Sequence, residues 1–206
     1  MLVEIIVPSL NRPMELERLR ESVPDGVMFS PSVETEPRAL TTCINELIST
    51  STGDVVLVLA DHVELMAGCV EAVVCDFDNA FPTLDGMVGL NITNMEPKPG
   101  IREYCFFAVG REFISRFPDG KIFCPDYYHF SGDTELGEYA SGEGLFIFDE
   151  DACVFLHHPN AANAPRDATH HASRILSSYD QEMRKLRRDA GLLWGMSFEL
   201  LEGNYG

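Results

Sequence analysis

The stretch VLVLADHVEL, residues 56–65, decides the fold class that the sequence predicts. It continues an apolar run that begins after Asp54, and a short run without polar alternation is typical of a strand buried on both faces. Asp61 and His62 follow this run directly, and Glu64 comes two residues later. Because open α/β sheets bind ligands outside the carboxyl ends of their strands, we expect this acid and imidazole to lie at a binding site.

Strand-like and helix-like segments alternate on both sides of this stretch. The predicted strands cover residues 3–8, 26–29, 54–60 and 86–91, the start of 103–117, and two short strands within 144–159. The predicted helices cover residues 12–23, 37–50 and 67–77, the end of 103–117, 130–140 and 172–190. This alternation predicts an α/β domain over residues 1–160 with a mostly parallel central sheet flanked by helices. A C-terminal loop and amphipathic helix, residues 161–206, are expected to pack on it.

Composition excludes several classes of function. The 206 residues can bury one sizeable core, and 15 Lys+Arg against 33 Asp+Glu give a formal charge of -18. Nucleic-acid binding depends on clustered cations, so we expect no nucleic-acid partner. No apolar run reaches the length of a transmembrane segment and the N-terminus lacks a signal-peptide pattern, which predicts a cytoplasmic protein. The six cysteines form no CxxC pair, which favours buried free thiols over a zinc site or disulfides.

Three polar clusters remain once the predicted core is set aside. They are Asp61–His62 with Glu64, Asp133 with Glu135, and the pair His157 and His158. Carboxylate oxygens suit Mg²⁺ or Mn²⁺, and imidazole nitrogens are compatible with Mn²⁺. A carboxylate set apart from a metal serves as a general base.

The order of the segments resembles that of glycosyltransferase family 2, whose members have the GT-A fold, related to the Rossmann fold, and use nucleotide sugars. VEIIVPSLNRPMELERLRESV (3–23) is similar to the opening strand and loop of the family, and CINELISTSTGDVVLVLADHVEL (43–65) to its central signature. FAVGREFISRF (107–117) resembles the segment before the acceptor side, and SGDTELGEYA (131–140) the helix that begins with the catalytic base. VFLHHP (154–159) is like the late strand that ends in a metal-binding histidine.

The resemblance implies a metal-dependent, inverting transfer of a sugar from a nucleoside diphosphate to an acceptor hydroxyl. It implies Asp133 as the catalytic base, with Glu135 two residues on, and Mn²⁺ or Mg²⁺ held by Asp61, His62 and one of His157 and His158. Glu34, just after the second predicted strand, is expected to accept hydrogen bonds from the base or ribose. The residues expected at the donor nucleotide are Pro8, Ser9, Asn11, Arg12, Glu34, Asn45, Ala60 and Asp61.

Two positions depart from the family pattern. The chain reads Ala60-Asp61-His62 where many relatives have Asp-x-Asp or Asp-Asp, so the metal motif is incomplete. Gly132 stands where an acid usually precedes the base. These departures motivate a second hypothesis, a GT-A-like binding or assembly module without turnover. A nucleotidyltransferase is a third hypothesis, although no Gly-rich, cationic phosphate loop follows the first strand.

Each candidate residue also has a purely structural interpretation. Asp61 and Asp133 are well placed to cap helices, a common role of aspartate. His62 alone is typical of a surface histidine, and Arg12 has Glu15 as an ion-pair partner three residues on. Because side chains alternate along a strand, at most one of the two adjacent histidines faces a given site. The sugar, base, acceptor and oligomeric state are not predicted.

Overall fold

The computed structural model describes residues 1–36, 38–95, 102–158 and 168–195. The strands are β1 Val3–Leu10, β2 Met28–Glu34, β3 Val55–Val58, β4 Val63–Leu65, β5 Met87–Ile92, β6 Phe107–Gly110 and β7 Phe146–Leu156. The helices are α1 Pro13–Ser22, α2 Leu40–Thr50, α3 Cys69–Ala80, α4 Arg111–Ser115, α5 Gly132–Gly142 and α6 Ala168–Asp189. Short 3-10 turns cover Arg102–Tyr104 and Pro118–Gly120.

The strands form one seven-stranded sheet in the order β2-β1-β3-β6-β5-β7-β4. β1 pairs in parallel with both β2 and β3, and β5 pairs in parallel with β7. β6 is antiparallel to β3 and β5, and β4 is antiparallel to β7. Five strands therefore run one way and two the other, which confirms the predicted α/β class with a mostly parallel sheet.

Both faces of the sheet are covered, as the apolar strands predict. Alternate residues of one strand enter different cores: Ile5 packs with α1 and α3, whereas Ile6 packs with α2, α4 and α5. The same alternation places Leu57 and Val58 of β3 on opposite faces. The backbone at the end of β3 is thereby fixed from both sides.

The N-terminal ends of β1, β2 and β3 are joined through one buried carboxylate. Glu4 accepts hydrogen bonds from Ser30 Oγ at 2.7 Å and from the backbone N–H groups of Thr52 and Gly53 at 2.6 and 2.9 Å. Burial alone would raise the pKa of Glu4, but these donors and the nearby Arg111 hold it below its ordinary value. The opposite, carboxyl ends of the same strands are left for the site.

Three elements differ from the sequence prediction. β2 was predicted over residues 26–29 but covers Met28–Glu34, so Glu34 is the last residue of the strand rather than a residue after it. The short strand β4 was not predicted, because three residues are too few to show a periodicity. The segment 144–159 was predicted as two strands but forms one strand, β7, with a register irregularity opposite Leu90 and Asn91 of β5. The acidic run Asp149–Asp151 interrupts the apolar pattern at this bulge, which explains the apparent division.

The C-terminal helix α6 lies against the sheet domain through buried polar contacts. Asp180 is fully buried, and Arg184 and Arg187 form ion pairs with Glu138 and Glu135 of α5. Within the described ranges, no helix combines the length and hydrophobicity needed to cross a bilayer.

Candidate active site

A cavity of about 490 Å³ opens at the carboxyl ends of β1, β2 and β3. Its polar wall is built from the loop after β1, the end of β2, the loop after β3 and the start of α5. Its apolar wall includes Ile44, Phe107 and Phe123 from the core on one face of the sheet. The predicted site residues that line it are Pro8, Ser9, Arg12, Glu34, Ala60, Asp61, His62 and Asp133.

Asp61 is the centre of the polar wall. It is 4% exposed and accepts hydrogen bonds from Ser9 Oγ at 2.7 Å and from Arg12 Nη1 at 3.5 Å. The Nδ1 atom of His62 lies 3.0 Å from Oδ1, the oxygen atom that also accepts from Arg12, whereas Ser9 bonds to Oδ2. Burial would raise the pKa of Asp61, but the hydrogen bonds of His62 and Ser9 and the charge of Arg12 hold it below its ordinary value. The site therefore keeps a buried carboxylate ionised.

The two adjacent histidines after β7 point to different neighbours. The ring of His158 lies 5.4 Å from the ring of His62, measured between centroids. The ring of His157 instead has its Nε2 atom 2.9 Å from Glu64 Oε2 on β4. The alternation of side chains along an extended chain explains the division. His158, rather than His157, thus lies beside the Asp61–His62 pair.

Asp61, His62 and His158 supply one carboxylate and two imidazoles, a donor set compatible with Mn²⁺. Across the described part of the chain, no three His, Cys, Asp or Glu side chains already stand in a metal-binding arrangement. The hydrogen bonds of Asp61 with Ser9 and Arg12 occupy oxygen atoms that a metal would use. The three residue types suit a divalent cation, and their side chains would have to change rotamer to bind one.

Asp133 also lines this cavity, at the start of α5. Its Oδ1 atom accepts hydrogen bonds from Thr134, from the backbone N–H at 2.7 Å and from Oγ1 at 3.3 Å. Burial raises the pKa of Asp133 above its ordinary value, although the hydrogen bonds of Thr134 oppose the change. A half-buried carboxylate with a raised pKa, facing a cavity, is suited to accept a proton.

Glu34 and Arg38 form the part of the wall next to β2. Glu34 Oε1 accepts hydrogen bonds from Ser32 Oγ at 3.0 Å and from Arg38 Nη1 at 3.2 Å. Arg38 also donates to Glu46 at 2.7 Å. Arg38 lines the cavity but was not predicted as a site residue. It lies between the end of β2 and the start of α2, where the sequence carries no local motif that could have revealed it.

Five predicted site residues do not line the cavity: Asn11, Asn45, Glu135, His157 and His158. Asn11 is exposed in the loop after β1, with a left-handed φ of 48°. Asn45 is buried and exchanges two hydrogen bonds, of 2.9 and 3.0 Å, with the backbone of Phe123. Glu135 is 3% exposed and pairs with Arg187 at 3.1 Å, away from the cavity. Burial raises the pKa of Glu135, and the charge of Arg187 opposes the change.

No family model matches the chain, and no curated protein matches it by sequence. Solved structures do match by shape. A mannosyltransferase from Pyrobaculum calidifontis in complex with GDP-Man and Mn²⁺ superimposes with a TM-score of 0.59 at 16% identity, covering 87% of this chain and 61% of that one. S. aureus TarS 1-349 in complex with UDP-GlcNAc superimposes with a TM-score of 0.60 at 11% identity, covering 84% of this chain and 61% of that one.

A further match is glucosyl-3-phosphoglycerate synthase from Mycobacterium tuberculosis in complex with Mg²⁺ and uridine diphosphate. Its TM-score is 0.52 at 15% identity, with coverage of 75% of this chain and 69% of that one. The chain spans about 61% of the length of the mannosyltransferase and of TarS 1-349. At these identities the likeness establishes architecture, and the resemblance seen in the sequence is confirmed at that level. The chain has the GT-A fold of nucleotide-sugar glycosyltransferases.

Proposed function

We propose that the chain is a glycosyltransferase that moves a sugar from a nucleoside diphosphate sugar to an acceptor hydroxyl with inversion. One observation carries the proposal: a single cavity is lined both by the buried Asp61, with its partners Ser9, Arg12 and His62, and by Asp133. The matched structures with UDP, UDP-GlcNAc or GDP-Man support a nucleotide-sugar donor of this kind.

The loop after β1 and the end of β2 would bind the nucleotide. Arg12 would place its positive charge near the diphosphate, and Pro8 and Ser9 would shape the floor beneath it. Glu34 has its Oε1 atom held by Ser32 and Arg38, and it is positioned on the cavity wall to accept a hydrogen bond from the base or ribose. Arg38, on the same wall, would add a second positive charge to donor binding.

Asp61, His62 and His158 would hold a divalent cation, Mn²⁺ or Mg²⁺. When bound, the cation neutralises negative charge on the departing diphosphate. His157 and Asn45 would have structural roles, since His157 is hydrogen-bonded to Glu64 and Asn45 to the backbone of Phe123.

Asp133 would act as the general base. The acceptor oxygen attacks the anomeric carbon, its proton passes to the Asp133 carboxylate, and the bond from the anomeric carbon to the phosphate oxygen breaks. The nucleoside diphosphate leaves with the electron pair of that bond. One displacement without a covalent sugar–enzyme intermediate inverts the anomeric centre, as it does in glycoside chemistry. The raised pKa of Asp133 makes it a stronger base than an exposed aspartate.

The direct test is release of nucleoside diphosphate from a panel of UDP, GDP, CDP and dTDP sugars with Mn²⁺ and a panel of hydroxyl acceptors. Transfer should fall by about 10²–10⁴-fold in Asp133→Asn, the usual contribution of a general base. Asp119→Asn, at an exposed aspartate outside the cavity, is the matched control and should turn over normally. Release that is equal in the parent and in Asp133→Asn would contradict the assigned base.

A binding module without turnover is the second candidate, and one observation favours it. Asp61 is already paired with Ser9, Arg12 and His62, so a cation must compete with these contacts. A module of this kind would bind the nucleotide sugar tightly and release no diphosphate over time. The two candidates are therefore separated by the same assay when donor binding is measured in parallel.

A further inference from the structure

Asp180 of α6 is a fully buried carboxylate with an unusual set of donors. It accepts hydrogen bonds from three consecutive backbone N–H groups, those of Tyr128 at 2.9 Å, His129 at 2.8 Å and Phe130 at 2.7 Å. A buried charge is costly unless hydrogen bonds satisfy it, and here the donors come from a loop about 50 residues away in sequence. The contact therefore determines the shape of that loop.

The same loop is held from its other side by α2. Leu40 donates its backbone N–H to the Tyr128 carbonyl at 2.6 Å, and Thr41 donates its hydroxyl to the Tyr127 carbonyl. The loop is thus fixed between α2 and α6, with its carbonyls facing one helix and its N–H groups facing the other. Its His129 lines the cavity.

This loop leads directly into the catalytic end of α5. Ser131 adopts a left-handed conformation, with φ 70° and ψ -17°, immediately before Gly132 and Asp133. A non-glycine residue in this region costs about 1–3 kcal/mol and persists where its surroundings over-determine it. The hydrogen bonds of Asp180 to the three preceding residues supply that constraint.

Asp180 does not act alone on this region. Arg184 pairs with Glu138, and Arg187 pairs with Glu135 at 3.1 Å. Residues 180, 184 and 187 lie on one face of α6, and from this face they contact α5 and loop 127–131, which precedes it. Leu176, one turn before Asp180, lines the cavity itself. Helix α6, which the sequence predicts to pack on the domain, therefore contributes to the cavity and contacts α5, the helix that carries Asp133.

We propose that Asp180 is a positioning residue that fixes loop 127–131 so that Asp133 faces the acceptor hydroxyl. This inference rests on the proposed transferase function. Asp180 lies outside the cavity lining, so its loss should displace the base while leaving the donor subsite intact. A displacement of about 1 Å at a catalytic group lowers turnover by up to about 10²-fold.

The test compares Asp180→Asn, Asp180→Glu and Asp189→Asn in the full chain, measuring kcat, donor KM and amide hydrogen exchange. Asp180→Asn replaces one carboxylate oxygen by an NH₂ group, which cannot accept a hydrogen bond from the backbone N–H groups of the loop. We therefore expect a loss of about 10–100-fold in kcat, an unchanged donor KM and faster exchange at residues 128–130. Asp180→Glu keeps the carboxylate charge, so its kcat should fall less than that of Asp180→Asn. Asp189→Asn, at an exposed acid on the same helix, should match the parent.

Three results would overturn the inference, and they are distinguishable. If Asp180→Asn is folded and keeps the parent kcat, Asp180 does not position the base, and the transferase function stands. If donor KM rises in step with the loss of kcat, Asp180 supports the whole domain rather than the base. If the parent itself releases no diphosphate, the proposed function fails and the positioning role fails with it. Should Asp180→Asn not fold, Asp180→Glu decides: a parent-like kcat together with faster amide exchange at residues 128–130 would overturn the inference, because the loop would then be released without an effect on turnover.

Discussion

At the scale of single residues, the pair His157 and His158 offers the sharpest test of the metal site. His158 lies beside His62, whereas His157 pairs with Glu64. We predict that His158→Gln reduces the effect of Mn²⁺ on nucleotide affinity, measured by isothermal titration calorimetry. His157→Gln is the matched control one residue away, and it should leave that effect unchanged. The opposite ranking of the two variants would place the metal on the other face of the strand.

The raised pKa of Asp133 predicts a pH dependence of turnover. A base must be deprotonated, so kcat should rise with pH through a value above the ordinary pKa of aspartate and then level off. The measurement is a pH profile of kcat with saturating donor. An acidic limb at the ordinary aspartate pKa would argue against a buried base.

The raised pKa of Asp133 also predicts that its charge lowers the stability of the folded protein at neutral pH. A carboxyl group whose pKa is raised by folding contributes stability below its unfolded pKa and loses that contribution as the pH rises through the folded value. Asp133→Asn removes the charge and keeps the Oδ1 acceptor used by Thr134, so it should raise the Tm at neutral pH. The gain should vanish at a pH where Asp133 is protonated. A Tm below that of the parent at neutral pH would contradict the assignment of a destabilising buried charge.

At the scale of elements, α5, which carries Asp133 in its first turn, packs closely against the 3-10 turn Arg102–Tyr104. A Cβ atom on Gly137 would lie 2.2 Å from the ring of Tyr104, whereas one on Gly142 would meet nothing within 4 Å. Gly137→Ala should therefore destabilise the protein by about 1–3 kcal/mol despite the better helix propensity of alanine. Gly142→Ala should be neutral or stabilising. Urea denaturation checks both, and equal stability of the two variants would show that α5 has room to move.

The sequence predicted elements well where a pattern is local. The apolar run that predicts β3 and the helical spacing that predicts α2 each lie within a short stretch of sequence. Both elements are present in the structure. β4 was missed because it has three residues, and β7 was divided because acidic residues sit at its bulge. Local patterns thus fail where an element is very short or irregular.

The candidate site shows the same limit for single side chains. Asp61 and Asp133 line the cavity because each follows or begins an element whose place in the sheet domain is readable from the sequence. Asn45 bonds to Phe123, 78 residues away, and Asp180 bonds to a loop about 50 residues away. No short-range pattern records such contacts, so the structural role of Asn45 and the importance of Asp180 emerge only from the three-dimensional arrangement.

At the scale of the whole molecule, the charge of the cavity bears on how a diphosphate could bind. The formal charge is -18, and the cavity is lined by Arg12 and Arg38 together with Glu34, Asp61 and Asp133. Because these carboxylates offset the two arginines, we expect a diphosphate to bind there with a divalent cation rather than by the arginines alone.

The most direct test of the central claim is a thermal-shift panel of UDP, GDP, CDP and dTDP, each with and without Mn²⁺. Asp61→Ala is measured beside the parent protein. We predict that one nucleotide raises the Tm of the parent, that the rise requires Mn²⁺, and that Asp61→Ala abolishes it. No shift with any nucleotide, in a parent protein that unfolds cooperatively, would contradict a metal-dependent nucleotide-sugar site at the end of β3.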